Sequence, residues 1–226
     1  MAEVLWTAEE LAGATGVLPS EPLARSITGV SIDSRTLQPG DLFVAIRGDS
    51  QNGHAYVDKA LADGAATAIV EAGYEGRRGP LVRVADPLEA MRALGRAARA
   101  RSGAKIIAVT GSVGKTGTKE MLRLCLSACG PTHASEKSYN NHWGVPLTLA
   151  RMPRSAQFGV FEIGMNHAGE ITPLTKIVRP HIAIITTVGP VHIEYFSSEE
   201  AIADAKAEIF DGIEPGGIAI LNRDNR

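Results

Sequence analysis

The sequence predicts an α/β protein: a small N-terminal α/β unit, then a P-loop unit with a mainly parallel sheet flanked by helices. Three observations carry that expectation. Short apolar runs alternate with segments of helical periodicity through most of the chain. The glycine turn Thr110-Gly-Ser-Val-Gly-Lys-Thr116 lies between one such run and one such segment. With 226 residues, 44% of them hydrophobic, the chain is long enough to bury real cores, in one large domain or two ordinary ones.

In the first unit, expected over 1–84, the pattern predicts a short helix at 7–15, strands near 29–32 and 41–46, and a helix at 56–63. Strands near 68–70 and 81–84 complete it. The alanine- and arginine-rich stretch 87–101 reads as a helix ended by Ser102-Gly103, so 85–103 is expected to connect the two units. The second unit, 104–226, then repeats strand and helix. Strands are expected at 105–109, 159–163, 182–187 and 217–221, and helices at 115–129, around 170–178 and at 198–213. Such alternation implies a parallel sheet with helices on both faces, whose ligands collect at the carboxyl ends of the strands. The glycine turn, Glu162 and the 187–192 loop all fall at such ends. On the 115–129 helix, Met121, Leu122, Leu124, Cys125, Leu126 and Cys129 recur at helical spacing, which predicts reduced cysteines in the core. The chain stops just after an apolar strand, and is expected to be a fragment.

Charge narrows the function. Twenty-three basic against 25 acidic residues give a formal charge of −2, which argues against general binding to nucleic acid or to a membrane surface. No apolar stretch reaches the length of a membrane span, and the N-terminus lacks a basic segment followed by an apolar one, so a cytoplasmic location is expected. Any nucleotide is then a small ligand.

The glycine turn has the chemistry to hold one. Gly111 and Gly114 let the backbone curl so that N–H groups face phosphate oxygens, and the helix that follows adds the positive end of its dipole. Lys115 can reach terminal phosphates and the Thr116 hydroxyl can help hold Mg²⁺, so Thr110, Gly111, Ser112, Val113, Gly114, Lys115 and Thr116 are the nucleotide-binding candidates. Val109 replaces the first glycine of the longer P-loop pattern; an ordinary glycine turn with a surface lysine is the competing reading.

Four further elements stand out. Glu162 interrupts an apolar strand at its carboxyl end, and a buried carboxylate needs a partner such as a metal near the phosphates; on an edge strand it would be a surface residue instead. His192, in Gly189-Pro-Val-His-Ile-Glu194, can ligate a metal through neutral imidazole, or be merely structural or solvated. Lys206 borders the inward face set by Ile202, Ala205, Ile209 and Ile213, where a snorkelling surface lysine is the alternative. Asn140 and Asn141, in the polar loop Ser138-Tyr-Asn-Asn-His-Trp-Gly-Val-Pro146, offer donors and acceptors to a polar ligand, and equally suit a turn and helix cap.

Together these elements resemble the Mur ligase family. The matching residues are Thr110 to Thr116, Asn140-Asn141 with Gly144-Val-Pro146, Glu162-Ile-Gly-Met-Asn-His-Ala-Gly-Glu-Ile171, Gly189 to Glu194 and Ala205-Lys-Ala-Glu-Ile-Phe210. Asp33-Ser-Arg35 and Gly40-Asp-Leu-Phe-Val-Ala45 match in the first unit. The segment Glu162-Ile-Gly-Met-Asn-His favours the branch that joins D-alanyl-D-alanine to UDP-N-acetylmuramoyl-tripeptide. The resemblance implies ATP and two Mg²⁺ ions as cofactors, and an acyl phosphate intermediate in peptidoglycan precursor synthesis. It implies Lys115, His192 and Lys206 as catalytic residues and Thr116, Glu162, His192 and Lys206 as metal ligands, with Lys206 carbamylated by CO₂. Ser34 and Arg35 are implied at the UDP end of the precursor, and Asn140, Asn141, Asn166 and His167 on its sugar or peptide side.

Two positions depart from the family pattern: Gly117 replaces a small hydroxyl residue, and Asn52-Gly53-His54 stands where Asp-Gly is common. Family members also carry more of the central domain and a further C-terminal domain. A binding module for the UDP-linked precursor, without turnover, is therefore the alternative. An unrelated P-loop kinase or GTPase leaves Glu162, His192 and Lys206 without a role, and the chain has no Asn-Lys-x-Asp guanine signature.

Overall fold

The structure is a computed structural model that describes residues 3–48, 51–76, 78–136, 139–191 and 193–225. The chain divides into two compact units, 1–97 and 98–226. The division falls inside the helix α3 (Pro87–Arg101), the segment read as a connector. Throughout the described residues no helix is long and apolar enough to cross a membrane.

The first unit begins with α1 (Ala8–Thr15), fixed at its start by a capping box. The Thr7 hydroxyl accepts from the Glu10 N–H at 3.2 Å, and the Glu10 carboxylate accepts from the Thr7 N–H at 3.0 Å. Strands β1 (Gly29–Ser31), β2 (Asp41–Val44), β3 (Thr67–Glu71) and β4 (Leu81–Val84) pair in parallel in the order β1-β2-β3-β4. A 3₁₀ turn, Gly53–Tyr56, leads into the short helix α2 (Val57–Ala62). Phe43, Ala45, Ala68 and Val70 pack there against Val57 and Ala60.

In the second unit β5 (Lys105–Thr110) is the central strand. After it come α4 (Lys115–Ser127), β6 (Thr132–Ala134), α5 (Gly144–Ala150), β7 (Phe158–Glu162), α6 (Ile171–Val178), β8 (Ile182–Ile185), α7 (Glu199–Ala207) and β9 (Ile218–Leu221). All five strands are parallel, in the order β6-β7-β5-β8-β9. Alternate residues of β5 serve opposite faces: Ile106 and Ala108 join the large core with α5, α6 and α7, whereas Ile107 and Val109 meet Leu122 and Leu126 of α4. From β5 the chain passes to β6 on one side, whereas from its neighbour β8 it passes to β9 on the other. That reversal opens a crevice at the carboxyl end of β5.

Three expectations need correction. Cys125 and Cys129 are exposed rather than in the core. Of the apolar residues expected to recur inward on α4, Leu122 and Leu126 pack on the sheet, while Met121 and Leu124 are 62% and 69% exposed, because the helix meets the sheet along a narrow stripe. The helix expected over 198–213 stops at Ala207 and continues as a 3₁₀ turn, Glu208–Gly212. The strand β6 has three half-buried residues and was not foreseen from periodicity.

Candidate active site at the end of the central strand

The glycine turn follows β5 into the crevice. Gly111 has φ 149°, and a Cβ there would lie 1.9 Å from Thr186 Oγ1, so only glycine fits. Gly114, in the left-handed region at φ 85°, serves as the N-cap of α4 and leaves its first N–H groups open, with no side-chain cap. The segment after β8 holds the turn in place. Ser112 N–H donates to Thr187 O at 2.8 Å, Ser112 Oγ donates to Gly189 O at 2.9 Å, and Thr186 Oγ1 donates to Val113 O at 2.6 Å. The Lys115 ammonium folds back onto Gly111 O at 2.7 Å. Burial pushes its pKa down while the Glu162 carboxylate opposes that shift.

Glu162 ends β7, an interior strand, and is 1% exposed, which removes the edge-strand reading. Its two oxygens are used separately. Thr116 Oγ1 donates to Oε2 at 2.9 Å, and Asn140 Nδ2 donates to Oε1 at 2.8 Å. The backbone fits this contact: a Cβ on Gly164 would meet the Asn140 amide at 2.9 Å, and Gly164 N–H donates to Asn140 O at 2.8 Å. Asn140 is thus a neighbour of the carboxylate, while Asn141 Oδ1 accepts from Gly144 N–H at 2.9 Å, the turn role.

Lys206 is 4% exposed, so it does not snorkel. Among the described residues no carboxylate pairs with its ammonium. Burial, with the nearby Lys115 charge second, lowers its pKa to about 8. His192 lies outside the described residues, as does Ser138 in the asparagine loop. No group of three or more His, Cys, Asp or Glu side chains gathers among the described residues.

Asn166 and His167 sit in the loop between β7 and α6, and both backbone N–H groups donate to Glu170 Oε2, at 2.7 and 3.2 Å. The His167 ring lies 4.7 Å from that of Tyr195. In the first unit, Ser34 and Arg35 occupy the turn after β1, where the Arg35 guanidinium pairs with Asp33 at 2.7 Å and stays largely exposed. Sequence reasoning missed Lys119, fully buried on α4, whose ammonium donates to Ser135 O at 2.8 Å and pairs with Glu120 at 2.9 Å. It also missed Ser135, whose Oγ accepts from Glu162 N–H at 3.2 Å, and Glu208 at the end of α7.

The crevice suits a nucleotide triphosphate with a hard cation. Among the described residues the buried Thr110 Oγ1 at the end of β5 has no hydrogen-bond partner, α4 starts without a side-chain cap, and two oxygen donors, Thr116 Oγ1 and Glu162 Oε2, converge beside Lys115.

Comparison with known proteins agrees with this class of site. The Mur ligase middle domain matches residues 109–226, and the model described as Mur ligase family, catalytic domain, matches residues 26–99. The chain therefore belongs to the Mur ligase family. It is 37% identical over 223 residues to the UDP-N-acetylmuramoyl-tripeptide–D-alanyl-D-alanine ligase of Rickettsia prowazekii, covering 98% of this chain and 49% of that protein. The Escherichia coli ligase of the same name is 38% identical over 213 residues, covering 93% of this chain and 47% of its own length. A crystal structure of MurF from Acinetobacter baumannii superposes with a TM-score of 0.87 at 37% identity, covering 97% of this chain and 49% of that one. MurF from Thermotoga maritima, solved in complex with ADP, gives 0.75 at 29% identity and 87% coverage of this chain, 46% of its own. The chain spans about half the length of the curated relatives it matches.

Proposed function

We propose that this chain is the precursor- and ATP-binding part of a ligase that joins D-alanyl-D-alanine to UDP-N-acetylmuramoyl-tripeptide through an acyl phosphate, in cytoplasmic peptidoglycan precursor synthesis. The observation that carries the reading is the convergence of Lys115, Thr116, Asn140 and Glu162 at the switch point, with the buried Lys206 amine nearby. The Thermotoga relative, whose structure holds ADP, supports nucleotide binding here.

In this reading the α4 N-terminus and Lys115 hold the triphosphate, and the terminal carboxylate of the tripeptide attacks the γ-phosphorus, releasing ADP. The D-alanyl-D-alanine amine then adds to the acyl carbon, and phosphate leaves. Both early reactants are anions, so neutralising their charge is the main demand and aligning them the second. Thr116 and Glu162 would hold Mg²⁺, and His192 with carbamylated Lys206 a second ion, which together would supply that neutralisation. Asn140 fixes the Glu162 carboxylate by taking one oxygen and leaving the other toward Thr116. Lys206 adds to CO₂ through its neutral amine, forming an N–C bond and releasing a proton, and burial favours that neutral form. Ser34 and Arg35 would bind the UDP end, and Asn166 and His167 the sugar or peptide.

The test measures ATP binding, binding of the UDP-linked precursor, and ADP release with both carbon substrates present. ADP release that depends on D-alanyl-D-alanine supports the ligase. Release indifferent to the dipeptide contradicts it, and precursor binding without turnover restricts this chain to a binding module.

A further inference from the structure

Two helix starts in the second unit contrast: that of α4 has no side-chain cap, whereas that of α6 is met by a distant carboxylate. At α6 the position is filled from within the chain. Glu208 Oε1 accepts from Gly169 N–H at 2.5 Å, and Oε2 accepts from Ile171 and Thr172 N–H at 3.1 and 3.0 Å. One carboxylate thereby satisfies two of the N–H groups that a helix start leaves unpaired, together with that of Gly169 in the turn before it, and its charge lies at the positive end of the dipole. The contact spans 36 to 39 residues of sequence.

The following residues descend beside α6. Thr172 Oγ1 donates to Asp211 at 2.7 Å, Thr175 Oγ1 donates to Ile209 O at 2.8 Å, and Arg179 pairs with Glu214 at 2.6 Å. A Cβ on Gly212 would lie 2.2 Å from Thr175 O, so the approach is as close as the backbones permit. Above this seam, Glu208 lies two residues beyond the buried Lys206, and Gly169 lies two residues beyond His167. Glu170 closes the same loop from inside through the Asn166 and His167 N–H groups.

We infer that Glu208 is a positioning residue: its carboxylate fills the N-terminus of α6 and locks the Asn166–His167 loop to the helix that carries Lys206. It also closes the α6 start to any anionic substrate group, while the α4 turn has no side-chain cap. The link to precursor binding rests on the ligase reading above.

The test compares the wild-type chain with Glu208→Gln and Glu208→Ala, each with and without acetate. It reads amide exchange at Gly169, Ile171 and Thr172, and the affinities for ATP and for the UDP-linked precursor. Removing a charged acceptor from three N–H groups is expected to speed exchange at these sites about tenfold in the alanine variant, and to weaken precursor binding about tenfold. ATP affinity should stay within about twofold, and acetate should slow the exchange again by filling the vacated site. Glu208→Gln, which keeps one acceptor oxygen, should fall between the two, and carries the test if the alanine variant does not fold. Exchange that stays near wild type, or ATP and precursor affinities that fall in the same ratio, would overturn the inference. A wild-type chain that binds ATP but no precursor sinks the ligase reading alone, and the exchange and acetate results then decide the role of Glu208.

Discussion

Lys119 and Lys206 are both buried in the second unit, at 0% and 4% exposure, and their surroundings are opposite. Lys119 has a carbonyl and a carboxylate at 2.8 and 2.9 Å, so its charge is compensated where it lies. Lys206 has the positive Lys115 as its charged influence, and its pKa falls to about 8. A paired buried lysine is a structural strut, whereas a buried lysine beside another cation is kept near neutrality and can act as a nucleophile. Lys119 reaches the site only indirectly, through Ser135, which also holds Glu162 N–H.

Substituting each lysine sharpens that contrast. The largest effect is expected in turnover: Lys206→Met should lower dipeptide-dependent ADP release about a hundredfold or more, while a folded Lys119→Met chain keeps most of its ATP affinity. Equal loss of ATP binding in both variants would erase the distinction.

Stability comes next, with a defined sign. Because folding lowers the Lys206 pKa from 10.5 to about 8, both states are protonated below pH 8 and the full penalty applies there. Between pH 8 and 10.5 the unfolded chain holds more protons, so this group's contribution improves as pH rises and levels off above that window. Relative to Lys206→Met, the wild type should therefore gain stability across it, by at most roughly 3 kcal/mol. Urea denaturation at pH 7 and pH 10 reads the difference; a wild type that gains nothing, or loses stability, relative to Lys206→Met between these pH values would contradict the assignment.

Lys119→Met should act the other way at neutral pH, costing ~1–3 kcal/mol because the Ser135 carbonyl is left buried without its donor. The same urea titration at pH 7 reads it, and a variant as stable as wild type would show that this carbonyl finds another partner. The smallest effect belongs to Glu120→Gln. Its carboxylate is 46% exposed, and although Arg123, with Lys119 second, holds its pKa below the usual range, screening should limit the loss to about a few tenths of a kcal/mol. A cost comparable to that of Lys119→Met would place the strut's strength in the ion pair rather than in the carbonyl bond.

The same contrast shows what the sequence made legible. The glycine turn could be read because its signal is local: an apolar strand, two glycines with positive φ, and a helix, all within a few residues. Glu162 was visible as a charge in an apolar strand, and a strand interior on both sides leaves such a carboxylate only the site to face. Lys119, Ser135 and Glu208 gave no such signal, because the contacts that tie them to other elements span 16 to 39 residues and form only once the sheet order is set. Periodicity also misjudged Cys125 and Cys129, since an apolar residue on α4 says nothing about how narrow its contact stripe is.

The most direct measurement is ¹³C NMR of the chain in ¹³CO₂-bicarbonate near pH 8, with wild type, Lys206→Met and Lys119→Met side by side. A buried amine that loses its proton near pH 8 beside the phosphate turn predicts one lysine carbamate resonance in the wild type, retained in Lys119→Met and absent in Lys206→Met. No resonance in the wild type, or one that persists in Lys206→Met, would contradict the role given to Lys206.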